Sequence, residues 1–327
     1  MKRILVKGVN WLGDAVMTLP ALREIKARFP GSKLSVLTKG NLADLYACEP
    51  AVDEVLPYGG GFLPFLRLVA RLRREKFDVA FMFPRSFRAS LAPFVSRIPR
   101  RIGFTGDARG PVLTDSVDRS ERLMTNHRVA YYLELLRPFG EVPAATAPEI
   151  VPPAEAKAWA AGHLPGDTWA GLNPGATYGK AKQWYPERFV EIGKRLASRG
   201  FRVAVVGGPA EAALGSKVAE SIGTSATNFS GKTTLPRLAA LIARCAVFVT
   251  NDTGPMHVAA AVGAPVVAIF GPTDPRTTRP FGKRHTIVQH QVECSPCLLR
   301  ECPIDHPCMR DLPVEQVWAA CEGWVRG

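Results

Sequence analysis

The chain has 327 residues, of which 46% are hydrophobic and 22% are charged, and its formal net charge at pH 7 is +13. This length suits two domains, and the composition excludes a disordered or low-complexity protein. Residues 1–7 contain neither the apolar core of a signal peptide nor a run that could span a bilayer, so we expect a cytoplasmic protein.

In the first half of the chain, the apolar pattern predicts alternating strands and helices. Strands are expected at residues 3–7, 34–38 and 77–83, and helices at residues 14–29 and 126–139. Residues 141–153 contain four prolines among alanines, which is typical of a linker. We therefore predict a first domain at residues 1–155.

The second half begins the alternation again. Strands are expected at residues 169–173, 202–206, 247–250 and 265–270, and helices at residues 187–199, 210–222 and 235–245. They predict a second domain at residues 156–312, followed by a helix at 313–327 that packs back across the domains. The predicted fold class is α/β, with two Rossmann-like parallel-sheet domains that face a cleft.

The most informative segment is a polar loop between two apolar runs, T-N-D-T-G-P-M-H, which begins at residue 250. Pro255 fits the first turn of the helix that follows the loop. Ligands of open α/β sheets bind at strand carboxyl ends, where Asp252 can meet sugar hydroxyls while Thr253 and Gly254 offer N–H groups to a phosphate. The alternative is that Asp252 and Thr253 only cap the helix.

A second loop, G-V-N-W-L-G-D at residues 8–14, follows the first predicted strand. Asp14 stands at the expected helix N-terminus, where the helix dipole stabilises a carboxylate. This position suits either a functional carboxylate or a plain cap. The glycine spacing is not G-x-G-x-x-G, so the loop does not support a dinucleotide site.

The first loop of the second domain is N-P-G-A-T-Y-G-K-A-K-Q-W, residues 173–184. Its small residues allow a ligand to approach the backbone, and Lys180 or Lys182 could neutralise a diphosphate, although a solvated loop is the alternative. The segment S-G-K-T at residues 230–233 looks like the end of a phosphate-binding loop. Ala226 replaces the first glycine and no clear strand precedes it, which disfavours an ATPase.

Positive charge is concentrated between residues 60 and 110, where eleven lysines and arginines face three acidic residues. Such a field favours a polyanion, whether nucleic acid, anionic lipid head groups or a phosphorylated acceptor. Arg67, Arg71 and Arg74 recur at helical spacing among apolar residues. They predict the polar stripe of an amphipathic helix, which suits a membrane surface as well as solvent.

Four of the seven cysteines form the pattern C-x2-C-x4-C-x5-C, at Cys294, Cys297, Cys302 and Cys308. In a cytoplasmic chain, such a cluster suggests a structural metal site more readily than disulfides. The spacing matches no standard zinc ribbon, so a metal site, a thiol-rich loop and a disulfide all remain open.

Four motifs occur together in one order: N-W-L-G-D, P-G-A-T-Y-G-K-A-K-Q-W, N-D-T-G-P-M-H and C-S-P-C. Together they resemble the ADP-heptose:lipopolysaccharide heptosyltransferases of glycosyltransferase family 9, and the type II members most closely. The resemblance implies a GT-B fold, with an N-terminal acceptor domain and a C-terminal nucleotide-sugar domain. It also implies inverting heptosyl transfer without a cofactor or a catalytic metal.

The resemblance also assigns roles to residues. It implies that Asp14 is the general base for the hydroxyl of the inner-core heptose, that Lys182 contacts the donor diphosphate and that Asp252 holds the donor heptose. The other donor-site residues that it implies are Thr177, Thr233, Thr253, Gly254 and His257.

The implied partners are ADP-heptose, a phosphorylated lipid A-core acceptor and the inner face of the cytoplasmic membrane, which the protein would meet as a peripheral monomer. The basic region then has an acceptor or membrane role. Charge alone, without a family motif, suggests this role for Arg67, Arg71, Arg74, Arg85 and Arg88.

Three other functions compete with this interpretation. A heptosyltransferase of type I would act on another acceptor, and a sugar-nucleotide epimerase would need an acid/base pair where only Asp14 is evident. A nucleic-acid-binding protein would explain the basic region, but no recognition helix or aromatic-basic pattern is present, so we expect no nucleic-acid partner.

Overall fold

The computed structural model describes residues 1–166 and 168–325. The chain divides into two compact units, Met1–Pro148 (unit 1) and Glu149–Gly327 (unit 2). This division falls within the proline-rich segment at residues 141–153, seven residues before the predicted boundary. Prolines lack the N–H that a strand or helix would use, which suits this segment to a connection between units.

Unit 1 contains a six-stranded parallel sheet with the strand order β3-β2-β1-β4-β5-β6. The strands are β1 (Arg3–Lys7), β2 (Lys33–Lys39), β3 (Glu54–Tyr58), β4 (Val79–Met82), β5 (Arg100–Phe104) and β6 (Asp115–Val117). The helices are α1 (Leu12–Arg28), α2 (Ala43–Ala47), α3 (Phe62–Glu75), α4 (Phe87–Val95), α5 (Glu121–Thr125) and α6 (Arg128–Leu133). Short 3₁₀ turns lie at Gly40–Leu42, Gly110–Val112 and Glu134–Phe139.

Unit 2 contains a second six-stranded parallel sheet, with the order β12-β11-β10-β7-β8-β9. The strands are β7 (Trp169–Asn173), β8 (Arg202–Val205), β9 (Ala226–Asn228), β10 (Cys245–Asn251), β11 (Val266–Phe270) and β12 (His285–Gln289). The helices are α7 (Ala154–His163), α8 (Pro186–Ser198), α9 (Ala212–Ile222), α10 (Leu235–Ile242), α11 (Gly254–Ala261), α12 (Pro275–Thr278), α13 (Pro307–Arg310) and α14 (Val314–Val325). Short 3₁₀ turns lie at Lys180–Lys182 and Pro209–Glu211.

Both sheets have the strand order of the Rossmann fold, so the predicted α/β class with two parallel sheets is confirmed. In each sheet the second and third strands lie on one side of the first strand, and the last three strands lie on the other side. The reversal lies between β1 and β4 in unit 1 and between β7 and β10 in unit 2. Loops diverge at this point, which leaves a crevice at the strands' carboxyl ends where ligands of such folds bind.

Several element predictions need correction. The helix expected to reach residue 245 ends at Ile242, because Cys245 begins the buried strand β10. The helix expected at residues 126–139 gives way to a 3₁₀ turn at Glu134–Phe139, since Pro138 has no N–H for an α-helical bond. Strand β9 does lead into the S-G-K-T segment, contrary to expectation.

The final helix, α14, packs on the sheet of unit 2 beside β10, β11 and β12, and also against α8. Val317 and Cys321 on its inner face are fully buried in the core of that unit. That it also reaches the first domain stays a prediction. Within the part of the chain that the structure describes, no helix is long and apolar enough to cross a bilayer.

Candidate active site

The centre of the site in unit 2 is the carboxylate of Asp252, which is 4% exposed and follows β10. Its Oδ2 atom accepts hydrogen bonds from Lys182 Nζ at 2.6 Å and from Thr273 Oγ1 at 2.7 Å. Thr253 stands at the N-cap of α11, but its side chain makes no capping hydrogen bond. These contacts disfavour the alternative in which Asp252 and Thr253 serve only as caps, because side chains from two other loops donate hydrogen bonds to the Asp252 carboxylate.

A second buried side chain, Asn251, fixes the loop that carries Lys182. Its Nδ2 donates to the carbonyls of Pro174 at 3.0 Å and Gly175 at 3.1 Å, and its Oδ1 accepts from the N–H of Trp184 at 3.0 Å. Asn251 is fully buried, so each of these bonds forms without competition from water. The loop after β7 is therefore fastened at both ends to the end of β10.

The loop itself presents its two lysines differently. Lys182 lies against the Tyr178 ring, with Nζ 5.1 Å from the ring centroid, and the guanidinium of Arg300 approaches the same ring at 4.8 Å. Lys180 is exposed, as is Thr177. Of the two lysines that the sequence offered, the structure thus brings Lys182, and not Lys180, to Asp252.

Two further loops end at the same edge of the sheet. Glu211 accepts a hydrogen bond from the N–H of Gly208 at 2.7 Å, and a Cβ atom at Gly175 or Gly207 would collide with its carboxylate. Thr233 is half-buried in the loop after β9, and His257 is buried on α11. The predicted donor residues therefore all follow β7, β9 or β10 on one sheet edge.

The cysteine-rich segment, residues 294–308, contacts the loop after β7 and the loop after β11. The backbone carbonyl of Arg300 accepts a hydrogen bond from the Ala181 N–H at 3.0 Å, and His306 Nε2 lies 2.7 Å from the Ala181 carbonyl. On the other loop, the N–H of Leu298 donates to Pro272 at 2.8 Å, and Ser295 Oγ donates to Gly271 at 2.5 Å. The segment therefore supports the neighbours of both Lys182 and Thr273.

The four cysteines of this segment are free thiols. Burial, with a further contribution from the nearby thiols of Cys294, Cys297 and Cys302, raises the pKa of Cys308 to about 11. Across residues 1–166 and 168–325, no three histidine, cysteine or acidic side chains are placed to hold a metal ion. The observed role of the cysteine-rich segment is thus to pack against the two loops.

In unit 1, Asp14 lies in the first turn of α1, at the end of β1. Tyr132 Oη donates a hydrogen bond to its Oδ1 at 3.2 Å. Burial raises the pKa of Tyr132 well above its ordinary value, and the Asp14 charge adds to this shift, so the phenol keeps its proton and remains a donor. The carboxylate lines a cavity of about 160 Å³ together with Arg85 and Arg128.

The other predicted basic residues are not brought together. Arg67 and Arg74 lie on the exposed face of α3, and Arg71 pairs with Glu54 at 3.0 Å and with Glu75 at 2.9 Å. Arg88 lines a second, larger cavity of about 870 Å³ in unit 1. Of the five arginines that charge singled out, it is Arg85 that lines the cavity of Asp14.

Comparison with known proteins decides the family. A model of glycosyltransferase family 9 (heptosyltransferase) matches residues 65–307. The chain belongs to glycosyltransferase family 9. It is therefore a glycosyltransferase, and the resemblance predicted from the four motifs is confirmed.

The relatives of this family 9 enzyme extend over most of its length. Lipopolysaccharide heptosyltransferase 2 of Salmonella typhimurium strain LT2 is 31% identical over 308 residues, 88% of each chain. Lipooligosaccharide heptosyltransferase 2 of Haemophilus influenzae is 29% identical, with the same coverage. The solved structure of Escherichia coli ADP-heptose LPS heptosyltransferase II is 27% identical, with a TM-score of 0.87 over 99% of this chain and 98% of that one.

Sequence reasoning missed four polar side chains of this family 9 enzyme: Asn251, Thr273, Glu211 and Tyr132. Thr273 follows β11 as Asp252 follows β10, so a search for polar residues after each predicted strand would have found it. Tyr132 lies 118 residues from its partner Asp14, and no local pattern indicates that contact.

The side chain of Lys7 is buried at the end of β1. Burial, with a further contribution from the Lys39 charge, lowers its pKa from 10.5 to about 7. Between those values the unfolded chain binds the proton more tightly, so the free energy of unfolding should rise with pH. We expect Lys7→Met to be more stable than wild type below pH 7 by about 5 kcal/mol, and to lose most of this advantage by about pH 10.

Urea denaturation of both proteins at several pH values between 6 and 10 measures the difference. Lys157→Met, at an exposed lysine of α7, is the control and should follow the wild-type curve. Parallel curves for wild type and Lys7→Met would show that the lysine is not buried as its surroundings indicate.

Proposed function

We propose that this enzyme transfers L-glycero-D-manno-heptose from ADP-heptose to the inner-core heptose of heptosyl-Kdo2-lipid A, with inversion, in the synthesis of the lipopolysaccharide core. Its relatives carry the name heptosyltransferase 2 over 88% of the chain. The observation that carries the proposal is the buried Lys182–Asp252–Thr273 cluster, which lies directly before the N-terminus of α11. A cation, a carboxylate and the first N–H groups of a helix together suit a sugar diphosphate.

In this proposal the donor binds at the switch point of the second sheet. The N–H groups of Thr253 and Gly254 bind the diphosphate, since the first N–H groups of a helix have no partner within it. Lys182 neutralises charge that develops on the leaving diphosphate, and Asp252 accepts hydrogen bonds from heptose hydroxyls. Thr177, Thr233 and His257 complete the donor site.

The chemical step is assigned to Asp14 in unit 1. A hydroxyl oxygen of the acceptor heptose attacks the anomeric carbon of the donor, and the bond from that carbon to the diphosphate oxygen breaks. ADP leaves with the bonding electrons, and Asp14 takes the hydroxyl proton as general base. The hydrogen bond from Tyr132 orients the carboxylate, while Arg85 and Arg128 give its cavity a positive potential that suits a phosphorylated acceptor.

We further propose that the protein works as a peripheral monomer at the inner face of the cytoplasmic membrane. At the start of α3, Phe62 is 74% exposed, Leu63 64% and Leu66 44%. Arg67 and Arg74 follow them on the exposed surface of the same helix. Exposed apolar side chains beside arginines suit the boundary between acyl chains and anionic head groups.

The transfer and its base are tested by mass spectrometry of the acceptor after incubation with ADP-heptose and EDTA. Wild type should give a product one heptose heavier. Asp14→Ala should abolish transfer, because the attacking hydroxyl keeps its proton, while ADP-heptose binding measured by calorimetry stays nearly intact. Turnover by Asp14→Ala at the wild-type rate would remove this mechanism. Release of ADP only with another acceptor would change the assigned substrate.

Lys182→Ala should weaken donor binding and also turnover, because it removes a charge from the diphosphate and leaves the buried Asp252 carboxylate without its cation. We expect kcat/KM to fall by about a hundredfold or more. Lys180→Ala is the matched control, since that lysine is exposed in the same loop, and its kcat/KM should change by less than about threefold. Equal losses in the two variants would argue against the role of the ion pair.

Membrane binding is tested by sedimentation with vesicles of phosphatidylethanolamine, with and without phosphatidylglycerol. Wild type should sediment with the anionic vesicles and detach as salt is raised. Replacing Leu63 and Leu66 by glutamine should lower the bound fraction by about tenfold, because their apolar surface no longer enters the bilayer. A bound fraction independent of these leucines would refute the docking role of α3.

A further inference from the structure

A cavity of about 870 Å³ in unit 1 opens at the carboxyl ends of the first three strands of its sheet. Lys7, Lys39 and Tyr58 line it, and each is the last residue of its strand. The remaining wall comes mainly from α3 and α4, including Phe65, Leu68 and Leu91. Cavities of this size, with mostly apolar walls and a few polar groups, are typical of small-ligand sites.

The charges around this cavity have one sign. Lys7, Lys39 and Arg88 line it, and no acidic residue does. The Lys7 ammonium is buried and donates to the Gly8 carbonyl at 2.9 Å, beside the Tyr58 ring at 4.4 Å. Within residues 1–166 and 168–325, none of these three cations pairs with a carboxylate. A buried ammonium without a counter-charge is costly, so the cavity is suited to an anion.

The cavity adjoins the smaller cavity that holds Asp14. Asn10 and Pro84 line both of them, at the end of β1 and just after β4. The two strands are neighbours at the reversal of the sheet. A molecule with its reactive hydroxyl at Asp14 can therefore extend past Asn10 into the larger cavity.

We propose that this cavity binds an acyl chain of the lipid acceptor, with the anionic group next to that chain held by Lys7, Lys39 and Arg88. The inference rests on the proposed function, because it assigns the lipid end of the acceptor whose hydroxyl Asp14 deprotonates. The chain lies among Phe65, Leu68 and Leu91, which no sugar would require. Phe62 is both exposed and part of the wall, so the cavity continues to the surface that is proposed to meet the membrane.

Direct binding is tested on the full-length protein by calorimetry with myristoyl lysophosphatidic acid, below the concentration at which it forms micelles. We expect one molecule per chain, with affinity at least about tenfold above that of glycerol phosphate, which lacks the chain, and of monomyristoylglycerol, which lacks the phosphate. Equal affinity for glycerol phosphate, or uptake only above the micelle concentration, would overturn the proposal.

Two variants locate the binding. Replacing Lys39 and Arg88 by glutamine should weaken lysophosphatidic acid binding by about tenfold, and Leu68→Trp, which fills the cavity, should weaken it by a similar factor. Arg122→Gln, an exposed charge of the same unit, is the control. An equal loss in the control would indicate a diffuse field and refute the assigned site. Lys39 and Arg88 are both exposed, so their replacement tests the site even if Leu68→Trp does not fold.

Activity assays separate this inference from the proposed function. With ADP-heptose as donor, wild type should show a KM for an acylated acceptor about tenfold below that for the fully deacylated one, and Leu68→Trp should narrow this ratio. Transfer to both acceptors with equal KM, and no lysophosphatidic acid binding, would refute the acyl site but not the proposed transferase activity. Binding of lysophosphatidic acid without transfer to either acceptor would refute the proposed function instead.

Discussion

The reversal of strand order in each sheet is the constraint on which both candidate sites depend. Because the chain turns from one side of β1 to the other, the loops after β1 and β4 part and leave a crevice at Asp14. The same reversal separates the loops after β7 and β10, where Lys182 meets Asp252. Two sheets of one design thus carry different groups at this point, a carboxylate in unit 1 and a buried ion pair in unit 2.

The two units treat buried charge in opposite ways. In unit 2 the Lys182 ammonium and the Asp252 carboxylate compensate each other, and Thr273 satisfies a further lone pair. In unit 1 the Lys7 ammonium has a carbonyl and an aromatic face as neighbours but no carboxylate. An ion pair holds its two side chains in position when no ligand is bound. A buried ammonium without a carboxylate is instead stabilised most when a ligand supplies the anion.

The sequence was sufficient for the architecture and for the places where loops follow strands. Asp252 and Lys182 lie in such loops and Asp14 lies in the first turn of the helix after one, because strand ends follow from apolar runs and glycines. The positions of Tyr132 and Thr273 depend on contacts between distant segments, which local periodicity does not encode. The predicted helix changes to a 3₁₀ turn at Glu134–Phe139 because Pro138 lacks an N–H, an effect that the apolar pattern does not encode.

The hydrogen bonds of Asn251 have a thermodynamic consequence for the proposed donor site. They hold the loop after β7 through two carbonyls and one N–H, all within the protein interior. The conformational entropy of that loop is therefore lost when the chain folds, and little remains to be lost when a nucleotide sugar arrives. In the proposed donor complex, the contacts of Lys182 and Asp252 are then offset by less loop ordering, so Asn251 favours binding without touching the ligand.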